Sequence, residues 1–391
     1  MTDVAVAAGG APWESEVLAQ IDQASHLQLQ RRCVDLAELL AVGRTGAVGL
    51  AVVATDLPGL DTDAVSRLVT GGVRVAAVGD HDRARALGID LVVEPARLGV
   101  VDLSRPTPPP PPSRRTPLLV VWGPAGAPGR STVALSVAAA TAAAGRRTAL
   151  VDADTMGGSL AQSLGLLDDV SGIMAACRVA NQGRADQVDE HLAAVEDRLH
   201  LLSGLPRGDM WPHVRSAALD GVVGRLRTTH DVVVADVGSC LEADGATRGR
   251  HQATLHLMEE ADAIVVVGRA DPVGLSRLVR GLADLQDLVG ETEHQRIVVN
   301  QMRSSLGWSE RDVADTLQRL SGRRPHAFLP WDGAGLDAAM MLGRTPRSVA
   351  PTSPFVRRVD LLVSGLVSGL GAGVDSDRET GFPVVASPAP Q

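Results

Sequence analysis

The chain has 391 residues, of which 45% are hydrophobic and 21% charged, with a formal net charge of −9 at pH 7. That length allows two or three domains, and that apolar fraction excludes a wholly disordered chain. The acidic balance gives no bulk attraction to a phosphate backbone, so no specific nucleic-acid partner is expected. Every basic residue is arginine. With the abundance of Ala, Val and Gly this has the look of codon bias, so an arginine in a lysine's usual place carries less meaning here. Cys33, Cys177 and Cys240 are scattered without a CxxC pair, which fits a reducing compartment better than a disulfide framework. No basic stretch followed by an apolar core opens the chain, and no uncharged apolar run reaches the ~18–20 residues that span a bilayer. A cytoplasmic protein is expected.

Apolar runs alternate with amphipathic ones from the start. Strands are predicted over residues 4–8, 27–34, 47–54, 73–78 and 90–93, with helices over 13–24, 35–42, 61–70 and 82–87 between them. This reads as a parallel sheet covered by helices, and five such repeats make it flavodoxin-like. Pro106 to Pro117, with the run Pro108–Pro112, favours extended polyproline II and marks a spacer. Beyond it, strands are predicted over 118–122, 148–152, 199–202, 232–236, 263–267, 296–300 and 326–329, with helices between them, notably 131–144 and 272–288. The continuous apolar runs at 232–234 and 264–267 suit a sheet buried on both faces. The predicted organisation is an α/β domain over 1–104, a Pro-rich linker over 105–116, a second α/β domain over 117–370 and a disordered tail over 371–391.

The strongest local signal is Gly123-Pro124-Ala125-Gly126-Ala127-Pro128-Gly129-Arg130-Ser131-Thr132, which follows a strand and opens a helix. Backbone N–H groups at such a helix start attract phosphate oxygens. Gly126 and Gly129 permit close backbone approach, and Ser131 stands where a hydroxyl ligates Mg²⁺. The match to GxxxxGK[ST] is incomplete: Pro124 takes the place of the first Gly, and Arg130 that of the Lys. Arginine keeps the charge but is bulkier and planar. On the loop alone, a plain Gly/Pro turn remains the alternative. Three further strand ends add to the signal. Asp152 and Asp154 close one strand, Asp236 closes the apolar run from Val232, and Asn300 closes another. Ligands of open parallel sheets bind at strand carboxyl ends, and an acid after an apolar strand is the Walker B pattern that holds Mg²⁺.

In order and spacing, the region from about Pro117 to Leu366 resembles the MinD/ParA family of deviant Walker ATPases. Within that family it is most similar to the CpaE/TadZ branch, particularly the actinobacterial CpaE-like septum-site-determining proteins. The segments that carry the resemblance are GPAGAPGRST, LVDADTMGGSLAQSLGL, DVVVADVGS, ADAIVVVGRADPVGLSRL, RIVVNQ and FLPWDGAGLDAAMMLGRTPRSV. The resemblance implies a P-loop NTPase fold that binds ATP and Mg²⁺. Gly126, Ala127, Pro128, Gly129, Arg130, Ser131 and Thr132 would hold the phosphates, Arg130 replacing the phosphate lysine. Ser131 and Asp236 would hold the metal, and Asp152 and Asp154 would be catalytic, Asp154 orienting the attacking water. Asn300 would read adenine, with a Leu329–Pro330 loop lining the base. The family's second lysine, which reaches the partner's nucleotide across a dimer, is replaced by Ala125. Loss of such a charge leaves little hydrolysis, unless Arg146 or Arg269 substitutes.

The first domain resembles the receiver-like domain that precedes the ATPase in CpaE-type proteins. Ala54 falls at the usual phosphoacceptor place and Asp56 is displaced by two, so a pseudo-receiver used for protein contacts is expected, with turn and cap duty for Asp56 and Asp61. Scattered buried cysteines are expected rather than an iron–sulfur site. The apolar face over 356–370 is expected to pack rather than to bind a membrane. The whole implies spatial regulation of a septum site or of pilus or secretion assembly, through an ATP-dependent homodimer switch with weak hydrolysis. Cell-division or pilus/secretion proteins would be partners, with recruitment to the septum, pole or inner membrane face. A non-catalytic scaffold that keeps the fold for protein binding is the alternative. An active metabolic P-loop enzyme is disfavoured, since no separate substrate site is evident in the sequence.

Overall fold

The alternating pattern folds, in a computed structural model, into two separate parallel sheets. The structure describes residues 1–100, 116–126, 128–166, 170–242, 249–290 and 294–371. The proline run, Ala127 and the tail after Gly371 lie outside the described residues.

The first unit runs β1 (Thr2–Ala7), α1 (Glu14–Gln23), β2 (Leu27–Arg32), α2 (Leu36–Gly43), β3 (Leu50–Ala54), α3 (Thr62–Thr70), β4 (Arg74–Val78), α4 (His81–Ala86) and β5 (Leu91–Val92). Its strand order is β2-β1-β3-β4-β5, all parallel, the flavodoxin-like order. Three helices begin for the same reason: Asp35, Asp61 and Asp80 each accept a hydrogen bond from the backbone N–H three residues on. Ala54 ends β3 buried, while Asp56 stands exposed in the following turn.

The second unit continues with β6 (Leu118–Trp122), α5 (Arg130–Ala143), β7 (Thr148–Ala153), α6 (Leu160–Ser163), α7 (Gly172–Asn181), β8 (Ala193–Glu196), β9 (Leu199–Leu202), α8 (Ser216–Thr229) and β10 (Val232–Val237). It closes with α9 (Gln252–Glu259), β11 (Ala263–Arg269), α10 (Pro272–Val289), β12 (Gln295–Met302), α11 (Glu310–Ser321), β13 (Ala327–Pro330), α12 (Gly333–Met341), α13 (Pro346–Val349) and α14 (Pro354–Gly371). The sheet order is β13-β12-β11-β6-β10-β7-β9-β8, parallel except at the β8–β9 edge. Apolar side chains alternate between two buried layers. One holds Val120, Trp122, Val151 and Ala235, and the other holds Val121, Leu150 and Val234 beneath α5. The antiparallel β8 carries no alternating apolar signal in the sequence, because at the sheet edge three of its four residues are half-buried and Ala194 is exposed.

The expected apolar face over 356–370 is one side of α14. Phe355, Val356, Val359, Leu362, Val363 and Leu366 are buried in the α5 layer. No helix among the described residues is long and apolar enough to cross a membrane. Phe355 is fully buried, whereas Leu361 on the same helix is 64% exposed. Phe355→Ala is therefore expected to cost about 3–5 kcal/mol, and Leu361→Ala less than about 0.5 kcal/mol. Denaturant midpoints for the second unit check both.

Candidate functional site

The site is built where three strands end under one helix. Register places Asp236 of β10 directly beside Asp152 of β7. Side chains alternate along a strand, so both carboxylates lie on the face that carries Leu150, Val234 and α5, and Asp154 follows two residues on. Gly129 caps α5 in the left-handed region at φ +87°, and a Cβ there would come 2.5 Å from Asn300 Nδ2. Only glycine serves at that point.

Asp236 is fully buried, and neither of its carboxylate oxygens has a hydrogen-bond partner. The Ser131 hydroxyl approaches it without completing a bond. Burial pushes Asp236 up to about 8, and Asp152 adds to the rise, while Ser131 and Arg130 pull the other way. Asp152 accepts the Leu160 N–H at 3.1 Å through Oδ2, and its Oδ1 is also buried without a partner. Burial raises Asp152 to about 7. Asp154 is held differently: its Oδ1 accepts the N–H groups of Met156 and Gly157, both at 3.0 Å, and its Oδ2 faces Arg130 Nη2 at 3.4 Å.

Arg130 bends back over its own loop. Nη1 donates to the Gly123 carbonyl at 3.3 Å, and Nε is buried without a partner. Two more arginines hold the loop from outside: Arg277 Nη1 donates to the Ala125 carbonyl and Arg269 Nη1 to the Gly126 carbonyl, each at 3.3 Å. A Cβ on Gly126 would come 1.9 Å from Arg277 Nη1. Because the peptide is planar and trans, the Gly126 N–H points away from the carbonyl that Arg277 grips.

The structure thus brings together Gly126, Pro128, Gly129, Arg130, Ser131, Thr132, Asp152, Asp154 and Asp236 around the start of α5. Ala127 lies outside the described residues. Asn300 needs a correction. It is buried under the loop, donating from Nδ2 to the Pro128 carbonyl at 2.8 Å and accepting the Gln301 N–H at 2.8 Å. It clamps the loop and is not presented as an open base reader. Its neighbour Gln301 takes φ +62°, where the β12–β13 register shifts. Leu329 and Pro330 are not a loop either: both belong to β13, with Leu329 in the core. Arg146 is exposed before β7, at the opposite end of the sheet from the site, so of the two substitutes only Arg269 is near. Arg277 was not singled out, because an exposed arginine in the middle of a helix carries no sequence signal. Among the described residues, no group of three or more His, Cys, Asp or Glu holds a metal by itself. Cys33, Cys177 and Cys240 are free thiols, the first two buried.

A carboxyl group that is protonated in the fold but ionised when unfolded destabilises as pH rises. Asp236 does so from its ordinary 3.8 up to about 8, so stability falls through that window. Asp236→Asn is expected to raise the melting temperature by roughly 5 °C or more at pH 8, with a gap that shrinks towards pH 5. Scanning calorimetry across pH checks the trend.

Comparison with known proteins matches residues 119–338 to the CobQ/CobB/MinD/ParA nucleotide binding domain. No curated protein matches. A ParA family ATPase from Chlorobium tepidum TLS superposes with a TM-score of 0.55 at 14% identity, covering 64% of this chain and 99% of that one. The cell division ATPase MinD of Pyrococcus furiosus gives 0.52 at 17% identity, covering 65% and 99%. The septum site-determining protein MinD from Pyrococcus horikoshii OT3, complexed with Mg-ADP, gives 0.51 at 17% identity, covering 66% and 99%. At these identities the likeness is one of fold.

Proposed function

Because this chain belongs to the CobQ/CobB/MinD/ParA nucleotide-binding domain family, we propose that it is a MinD/ParA-type nucleotide switch that binds ATP with Mg²⁺ and hydrolyses it slowly. The observation that carries this reading is the pair Asp236 and Asp152, buried side by side with three oxygens left without a donor. Such groups are costly to bury. A cation answers the cost, and Mg²⁺ is habitually held by one or two carboxylates together with a nucleotide's phosphates. Asp236 and Ser131 would hold it, with Asp152 behind. When bound, the ion neutralises phosphate charge.

The chain's own groups then divide the work. Gly126, Ala127, Gly129 and Thr132 would offer backbone N–H and hydroxyl groups to the phosphates at the positive end of α5, while Pro128, which has no N–H to give, would shape the loop between them. Arg130 exchanges its long contacts with Asp154 and Gly123 for a phosphate oxygen. Asp154, once released, is the group placed to orient water. Hydrolysis is slow because Ala125 brings no cation, and Arg269 and Arg277 are occupied with the loop carbonyls. Within the family we place the chain in the CpaE/TadZ-like branch, with residues 1–104 as a pseudo-receiver, 105–116 as linker and 117–370 as the nucleotide domain. Its task would be spatial organisation at a septum site or a pilus or secretion machine, as a homodimer recruited from the cytoplasm to the septum, pole or inner membrane face. The scaffold reading keeps one specific support: both lysine positions are changed, to Ala125 and Arg130.

Calorimetric titration of ATP–Mg²⁺ into the full chain separates the two. Binding that weakens at least about tenfold in Asp236→Ala is expected, with turnover that rises in Ala125→Lys as a transition-state cation returns. No heat at millimolar nucleotide would leave the scaffold.

A further inference from the structure

Far from the phosphate loop, the two units meet through helix ends. The first turn of α3 leaves N–H groups without intrahelical acceptors. Asn181, the last residue of α7, supplies one. Its Oδ1 accepts from the Asp63 N–H at 2.9 Å and from Thr62 Oγ1 at 2.7 Å, and its Nδ2 donates to Asp61 Oδ2 at 2.7 Å. Exchange runs the other way too: Arg83 of α4 donates to the Gln182 carbonyl at the end of α7, and Arg215, just before α8, pairs with Asp63. The positive start of α3 therefore faces the negative end of α7. Beside these contacts opens a cleft of ≈ 440 Å³ lined by Leu40, Arg67, Met174, Arg178 and Arg215. The joint is a polar latch next to an opening, the kind of contact that lets units separate.

The other end of α7 reaches the candidate site. The Gly172 N–H donates to Ser203 Oγ at 2.8 Å and the Ile173 N–H to the Ser203 carbonyl at 2.9 Å. The next residue, Gly204, lies against Asp152, where a Cβ would come 2.7 Å from the carboxylate carbon. Between the ends, Ile173, Ala176, Cys177 and Ala180 are buried in one core layer, so the ten-residue helix, about 15 Å long, is one packed element joining the two contacts.

We propose that α7 couples the amino-terminal unit to the Asp152 pocket: with the unit docked on Asn181, α7 holds the Ser203–Gly204 wall against Asp152, and undocking loosens it. The consequence for nucleotide rests on the site reading above; the coupling itself does not. Hydrogen exchange on the full chain without nucleotide tests it, comparing wild type with Asn181→Ala and with Arg215→Ala, which leaves α7 unaltered. Exchange at the Gly172 and Ile173 amides is expected to quicken roughly tenfold in both variants, while amides in β1 and β10 keep their wild-type rates. Acceleration confined to the α3 start and the α7 end would overturn the coupling. If Asn181→Ala quickens every amide by loss of fold, Arg215→Ala alone decides, by the same two amides.

Discussion

A carboxylate sealed from water without a donor is an expensive group, and Asp236 is kept in that condition by the sheet around it. Its strand is paired on both sides, by β6 and β7, so the side chain has nowhere else to go. Asp152 stands beside it with one oxygen equally unanswered. Neither group contributes to stability at neutral pH; each is tolerated because the apolar layers around it are deep. Sites that carry such strain are places where a ligand's charge completes the structure. The rest of the site is arranged around that deficit: the helix start above it, the hydroxyl of Ser131 and the guanidinium of Arg130.

The loop shows a division between shape and charge. Its shape is fixed by groups that grip carbonyls: Asn300 on Pro128, Arg269 on Gly126 and Arg277 on Ala125. Its charge is left to Arg130, whose guanidinium lies inside the site between the Gly123 carbonyl and Asp154.

Much of this was legible in the sequence. Strand and helix existence followed from periodicity, and β6 and β9 fell within the predicted bounds because Gly, Pro and charged residues punctuate them. The acids Asp152, Asp154 and Asp236 could be placed since a parallel sheet gathers strand ends on one side. What could not be read depends on partners distant in sequence. Asn300 closes the predicted apolar run whether it faces a base or a loop, and only the fold shows β12 running on to Met302 with Pro128 above Asn300. Arg277 and Asn181 act through their tertiary neighbours, 152 and 118–120 residues away. Pro330 was expected in a loop because strand β13 extends one residue past the apolar run, and Leu329, inside the predicted strand, turns into the core.

The central claim is that the buried acids await a cation carried with a nucleotide, and it is tested most directly by thermal melting with and without ATP–Mg²⁺ across pH. Binding should raise the melting temperature of wild type, and the gain should grow between about pH 6 and 9 as the acids of the free protein ionise. In Asp236→Asn that growth with pH should shrink, with only Asp152 left to ionise. A gain that is absent at millimolar nucleotide, or that grows equally with pH in the variant, would contradict the account.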